Sequence, residues 1–264
     1  MQKLNLHIVP VDLLEKYVQT FDKNSRNAFE QLHDSELSIE TFSFYTSVSA
    51  VFSSKIEGED IELDSYIKHK RLGAHFLPDF TRKIDDLYNA YIFAQTNRLT
   101  SQTLEQVHAQ LTKHILQEPQ QGQFRVGNMF VITKDGKIEY VAAGPGKVNE
   151  EMQKLYADIK ILLDAELSFE ETFFFASLLH LVFVKIHPFE DGNGRTARLL
   201  EKWFLAEKLG DKAWFVQSER NYYDQHQLYY KNIRHLGLEY EELDYSQALP
   251  FLQMLPASII NNER

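Results

Sequence analysis

The stretch Phe173-Phe-Phe-Ala-Ser-Leu-Leu-His-Leu-Val-Phe-Val-Lys-Ile186, continued by His187-Pro-Phe-Glu-Asp-Gly-Asn-Gly-Arg195-Thr-Ala-Arg198, decides the fold. Its first part is too long for a typical strand and apolar nearly all round, which predicts a buried central helix over 169–186. The helix should stop before Pro188, because a residue preceding proline is biased out of the α region. Gly192 and Gly194 then let the backbone approach a ligand closely, and Arg195 opens a second helix that ends near Gly210. A glycine-bearing turn entering a helix presents unpaired N–H groups and the positive end of the helix dipole, so the turn reads as a phosphate cradle.

Working outward, most of the chain has helical spacing. Leu13, Leu14, Tyr17, Val18 and Phe21 form one stripe, and Phe42, Tyr45, Val48, Phe52 and Ile56 form another. Further helices are expected around 79–97, 103–116 and 148–165. The exception is 129–142, where two β-prone runs flank Asp135-Gly136, a dipeptide suited to a tight hairpin turn. The expected class is therefore mostly α, a helical bundle with one small β-hairpin. With 264 residues, 44% hydrophobic, eleven glycines and seven prolines, one compact unit is expected, ordered except for a few terminal residues such as 261–264.

A net charge of −10 without a dense Lys/Arg run argues against a general nucleic-acid surface, since phosphate contacts need clustered positive charge. Cysteine is absent, which excludes disulfides and thiolate metal sites. The first ten residues lack the apolar core of a secretory signal, and the apolar run near Leu178–Val184 is too short to span a bilayer. The expectation is a soluble cytoplasmic protein with no membrane association.

The polar residues of the 187–198 stretch each have a chemical use. His187, with an ordinary pKa of about 6.5, suits proton acceptance near neutrality. Asp191 can ligate Mg²⁺, which commonly takes one or two carboxylates together with phosphate oxygens. Arg195 and Arg198, three residues apart on a helix, can face one polyphosphate. Phe189 reads as a core anchor for the loop. Gly192-x-Gly194-x-x-Ala197 also fits a dinucleotide pattern, but that motif follows a strand and here a helix precedes it. No P-loop motif is present. His180 reads as a core histidine with a satisfied ring, no histidine spacing suggests zinc, and the pairs Tyr222-Tyr223 and Tyr229-Tyr230 are explained first by packing.

From His187 to Arg198 the chain matches His-Pro-Phe-x-Asp/Glu-Gly-Asn-Gly-Arg-x-x-Arg at every specified position, and it is identified by this motif as resembling the Fic (filamentation induced by cAMP) family. The resemblance implies a Fic-type helical bundle with a flap hairpin at 129–142. It implies transfer of AMP from ATP to a Ser, Thr or Tyr hydroxyl of a target protein. His187 would be the base and Asp191 would hold Mg²⁺. Gly192, Asn193, Gly194 and Arg195 would bind the α- and β-phosphates, and Arg198 the γ-phosphate. Tyr229 and Tyr230 lie where the family often has an aromatic pair near adenine. Relatives with Lys at the second glycine phosphorylate instead, so Gly194 speaks for nucleotidyl transfer.

Ser53-Ser-Lys-Ile-Glu57-Gly58 resembles the family's inhibitory Ser/Thr-x-x-x-Glu-Gly/Asn motif. It implies an inhibitory helix at about 36–58 in which Glu57 pairs with Arg198, with Ser53 on the same face. The implied organisation is an N-terminal helical region over 1–95, a Fic core over 96–236 and a C-terminal helical extension over 237–264. The partner implied is a protein segment docked along the hairpin. Self-modification and a homo-oligomer stay open, as do a de-AMPylase, a transferase of another nucleotide and a low-turnover nucleotide-binding regulator.

Overall fold

The computed structural model describes residues 4–39, 42–76, 81–132 and 138–260. Its elements in chain order are α1 (Leu14–Thr20), α2 (Asn24–Glu30), α3 (Phe44–Ile56), α4 (Leu63–Leu72), α5 (Arg82–Thr96), α6 (Ser101–Leu111), β1 (Phe130–Ile132), β2 (Ile138–Val141), α7 (Pro145–Asp164), α8 (Phe169–Ile186), α9 (Asn193–Leu209), α10 (Ser218–Asp224), α11 (His226–Arg234), α12 (Leu249–Leu252) and α13 (Met254–Ile260). The fold is mostly α with one antiparallel hairpin. In it Phe130 pairs with Val141 and Val131 with Tyr140, and the register is irregular between Val131 and Ile132. The expected Asp135-Gly136 turn and residues 261–264 lie outside the described residues.

α8 runs through the centre. Ser168 and Glu171 form a reciprocal capping box that satisfies orphan amides at its start, and from Phe169 to Ile186 its side chains are buried on almost every side. Helices α1, α7, α9, α12 and α13 pack around it. Tyr17 packs at a tilt against Phe174 and Phe21 edge-on against Phe173, at 5.3 and 5.9 Å between ring centroids. From the C-terminal end, Phe251 packs edge-on against His180 at 5.1 Å. One hydrophobic cluster therefore runs from Val9 to Ile259, and the segment after Gly237 closes the core. The N-terminal segment is tied down by Asp158 of α7, which is fully buried and accepts the backbone N–H groups of His7, Ile8 and Val9 at 2.7, 2.8 and 2.9 Å.

The inhibitory helix expected over about 36–58 is shorter. Ser43 caps α3 by accepting the Thr46 N–H at 3.3 Å, and just before it Ile39 and Phe42 form an isolated bridge, so the helix cannot begin at 36. α3 is also buried on both faces: beside Val48, Val51 and Ile56, the serines Ser47, Ser49, Ser53 and Ser54 are shielded from solvent. Among the described residues, no helix is long and apolar enough to cross a membrane.

Candidate active site

The site forms where α8 ends and α9 begins. His187 caps α8 in the left-handed region, at φ 52° and ψ 62°, with its N–H still bonded to the Phe183 carbonyl at 2.9 Å. Asn193 then closes the loop: its side chain accepts the Phe189 N–H at 2.9 Å and donates to the Phe189 carbonyl at 2.8 Å. Phe189 is fully buried and stacks flat on His108 of α6, with centroids 3.5 Å apart. His108 reaches over the loop from the other side, where its Nε2 meets the Asp191 carbonyl at 2.9 Å while its Nδ1 accepts the Gly122 N–H at 2.9 Å. A carbonyl can only accept, so Nε2 carries the proton and the ring is neutral. Burial, opposed by the bond to Asp191, pushes this imidazole down to about 4.

Gly192 takes φ 78°, and a Cβ there would come within 2.6 Å of the Thr112 side chain, so glycine is demanded twice over. The first main-chain bond of α9 runs from the Thr196 N–H to the Gly192 carbonyl at 2.9 Å. The amides of Asn193, Gly194 and Arg195 are left at the helix N-terminus, where an anion is favoured. Since the Asn193 side chain is occupied by Phe189, only its main-chain N–H remains for a ligand. Arg195 is 4% exposed, yet its Nε has no partner among the described residues. An unfilled buried donor of this kind fits a phosphate oxygen.

Asp191 is exposed, and its Oδ1 accepts the Gly192 N–H at 2.5 Å, which leaves Oδ2 outward. Among the described residues no group of three or more His, Asp or Glu side chains could cage a metal. One free carboxylate oxygen beside a phosphate cradle fits Mg²⁺, which takes most of its ligands from phosphate and water.

His187 Nδ1 lies 3.1 Å from the Tyr140 hydroxyl and 3.2 Å from the Val184 carbonyl. Burial is the main cause that pushes its pKa down to about 4. The Val184 carbonyl pulls it back up, Arg125 adds to the fall and Glu57 opposes it. The ring is thus neutral at pH 7.

Arg198 is wholly buried. Its Nε donates to Ser53 Oγ at 2.8 Å, and its Nη2 to the Ser53 carbonyl at 3.1 Å and to Glu57 Oε1 at 2.6 Å. The Glu57 to Arg198 pairing expected from the sequence is present, and Ser53 joins it with both side chain and main chain. Burial works against ionisation of Glu57, but Arg198 and then Arg195 outweigh it and hold the carboxyl below its usual range. Glu57 itself caps α3, followed by Gly58 at φ 95°, a normal helix stop. A Cβ at Gly194 would come within 2.5 Å of Glu57 Oε1 and 3.1 Å of Arg198 Nη1, so this glycine keeps open the space in which the pair meets. Two residues past Glu57, Glu59 Oε1 lies 2.7 Å from Lys83 Nζ and 3.7 Å from Arg195 Nη2.

The two tyrosines expected together near adenine part ways. Tyr229 is 1% exposed, its hydroxyl held by His180 Nε2 at 2.9 Å and Arg198 Nη1 at 3.3 Å, so its ring is closed to a base. Tyr230 faces a cavity of about 680 Å³ that it lines with Ile56, Glu57, Val131, Ile132 and Arg234. That volume lies within the range of small-molecule sites. His180 is a satisfied core histidine, with its other nitrogen 2.8 Å from Glu201.

Three residues at the site carry no motif signal. His108 and Tyr140 hold the loop and the base as described. Arg125, 3% exposed, bonds to the carbonyls of His187, Gly127, Ala143 and Ile186. A tyrosine in the only sequence stretch that reads as a hairpin was the one hint on offer.

Comparison with known proteins agrees with this geometry. The Fic/DOC family model matches residues 98–205, from just before α6 to within α9. A protein named protein adenylyltransferase Fic from Culex quinquefasciatus is 30% identical over 140 residues, covering 52% of this chain and 25% of that protein. One of the same name from Aedes aegypti is 29% identical over 147 residues, covering 52% and 26%. The chain thus spans about a quarter of the length of these relatives. Among solved structures, a Fic family protein from Desulfovibrio desulfuricans superposes with TM-score 0.71 at 18% identity, covering 97% of this chain and 74% of that one. A Fic-domain signaling protein from Bacteroides thetaiotaomicron does so with TM-score 0.63 at 18% identity, covering 94% and 91%. At such identity these two show the fold. The motif geometry and the family match agree, and residues 98–205 carry a Fic/DOC domain.

Proposed function

We propose that this chain transfers AMP from ATP to a Ser, Thr or Tyr hydroxyl of a protein, and that Glu57 restrains it. The observation that carries the reading is a neutral imidazole set beside a helix N-terminus whose second arginine, Arg198, is held by a carboxylate from α3. The name of the two insect relatives, protein adenylyltransferase Fic, supports the same reaction.

In this reading the nucleotide base occupies the cavity beside Tyr230, and the amides of Asn193, Gly194 and Arg195 receive the phosphates. Asp191 would hold Mg²⁺, whose charge offsets that of the α- and β-phosphates. The target hydroxyl gives its proton to His187 Nε2 while its oxygen bonds to the α-phosphorus. The bond from that phosphorus to the α–β bridging oxygen breaks, and pyrophosphate leaves. Positioning and electrostatics carry most of such a displacement. Arg198 would grip the γ-phosphate and orient the chain for in-line attack, but only once Glu57 has released it. The hairpin exposes Phe130, Ile132 and Ile138, which supports docking of an extended target segment by strand addition.

The test is incubation of wild type, Glu57→Gly and Glu57→Gly/His187→Ala with Mg²⁺ and ATP labelled at the α- or γ-phosphate, with cell lysate as target. Label from the α-position alone, strongest in Glu57→Gly and lost in the double variant, is expected. Label from the γ-position would make the chain a kinase, and no label at all would favour a nucleotide-binding regulator.

A further inference from the structure

We propose that Arg125 and Tyr140 are the positioning residues of His187, which they hold from the hairpin side so that hairpin and base move as one body. The inference rests on the reading of His187 as a base.

His187 is the one non-glycine residue with positive φ among the described residues. A histidine in that region persists where its surroundings over-determine it. It also ends α8, so the last carbonyls of that helix have no intrahelical partner. Arg125 supplies the missing donors. Its Nε reaches the His187 carbonyl at 2.6 Å, its Nη2 the Ile186 carbonyl at 3.2 Å, and its own backbone N–H the Pro188 carbonyl at 2.9 Å. The same guanidinium bonds to the carbonyls of Gly127 at 2.7 Å and Ala143 at 2.5 Å. Those two residues bracket the hairpin, one before β1 and the other after β2. Its hydrogen bonds go to carbonyls, while the Glu190 carboxylate acts on its charge from a distance. A planar fork with five donors can join the two hairpin stems to a helix end, and a lysine ammonium cannot.

Tyr140 acts on the ring. Its hydroxyl donates to the Val184 carbonyl at 2.8 Å, which uses its single proton. His187 Nδ1 faces that hydroxyl oxygen and the same carbonyl, so Nδ1 must be the donor. The hydrogen therefore sits on Nδ1, and Nε2 keeps a bare lone pair, as a general base requires. Lys185 Nζ, 4.2 Å from the Tyr140 ring centroid, braces the phenol. The charged or titratable groups that act on His187 are thus Arg125 before β1, Tyr140 on β2 and Glu57 from α3.

Histidine-selective ¹⁵N NMR at neutral pH reads the tautomer without turnover, so it decides this inference even if no AMP is transferred. Wild type should show a protonated Nδ1 and a bare Nε2 at His187. Tyr140→Phe keeps the ring and removes only the hydroxyl, which leaves Nδ1 the 3.2 Å contact to the Val184 carbonyl alone, and Arg125→Met removes the fork; each should loosen the ring and shift or broaden its Nδ1 resonance. In the Glu57→Gly background, both should lower kcat roughly 10- to 100-fold with the KM for ATP little changed, and Arg125→Lys should fail to restore the rate. A His187 Nδ1 resonance unmoved in both variants would overturn the inference, as would a KM that rises in step with the fall in kcat. A Glu57→Gly protein without AMP transfer would refute the proposed function separately.

Discussion

Glu57→Gln keeps the size of the side chain and removes its charge, whereas Glu57→Gly removes the contact altogether. In the structure the carboxylate meets Arg198 Nη2 at 2.6 Å, with the arginine side chain 1% exposed and the glutamate side chain 26%. A hydrogen bond to a charged group in such a setting is worth about 1.5–3 kcal/mol, against about 1 kcal/mol for a neutral one. If Arg198 must leave Glu57 before it can hold a γ-phosphate, Glu57→Gly should raise AMP transfer by about 10- to 150-fold. Glu57→Gln, which keeps a hydrogen bond from the guanidinium but loses the attraction between opposite charges, should gain less. Arg198 retains Ser53 Oγ, the Ser53 carbonyl and Tyr229 in both, so neither variant should unfold the protein. The assay is initial-rate transfer of α-labelled phosphate at saturating Mg²⁺ and ATP, beside a urea unfolding curve for each variant. A glutamine variant no faster than wild type, next to a fast glycine variant, would show that bulk rather than charge restrains the site. Three equal rates would remove Glu57 from regulation.

Four further outcomes follow from the geometry. His187 titrates near about 4 and must be neutral to accept a proton, so kcat of Glu57→Gly should stay flat from pH 8 to about 5 and fall below that; an acid limb centred near 6.5 would contradict it. His187 and His108 both sit near about 4 in the folded chain, against an ordinary value of about 6.5. The unfolded chain therefore binds protons first: the stability they contribute is full above about 6.5 and lost as pH falls through the folded values, which urea midpoints from pH 8 to 4 will show. Asp158→Ala strips the acceptor from three main-chain N–H groups and should cost about 2–4 kcal/mol in urea unfolding, a loss that an exposed carboxylate would not produce. Gly194→Ala places a Cβ where Glu57 and Arg198 meet; in the Glu57→Gly background it should raise the KM for ATP by about tenfold while leaving the unfolding midpoint in place, and an unchanged KM would take Gly194 out of the phosphate path.

Much of the site is legible from residues 169–198 because it is local. The length and all-round apolarity of α8, the stop before Pro188, the Gly192 turn and the start of α9 depend on neighbours in sequence, and each lies where its residues place it. α6, expected to run to 116, ends at Leu111. There Thr112 turns its hydroxyl back to the His108 carbonyl, and His114 commits both its N–H and its ring to Asp86. What the sequence hides is held over long distances. Arg125, Tyr140 and His108 act on backbone carbonyls dozens of residues away, and a carbonyl has no residue type to read. The resemblance places Tyr229 and Tyr230 together near adenine, yet successive helix positions point about 100° apart, so one faces His180 and Arg198 while the other faces the cavity. Nor does any pattern after Gly237 announce that Phe251 closes the core.

The most direct measurement is a crystal structure of Glu57→Gly with Mg²⁺ and a non-hydrolysable ATP analogue. The predicted complex has Arg198 on the γ-phosphate, the amides at the start of α9 on the phosphates, and the α-phosphorus facing His187 Nε2. A nucleotide whose γ-phosphorus faces His187, or one bound away from the Gly192–Arg198 turn, would contradict it.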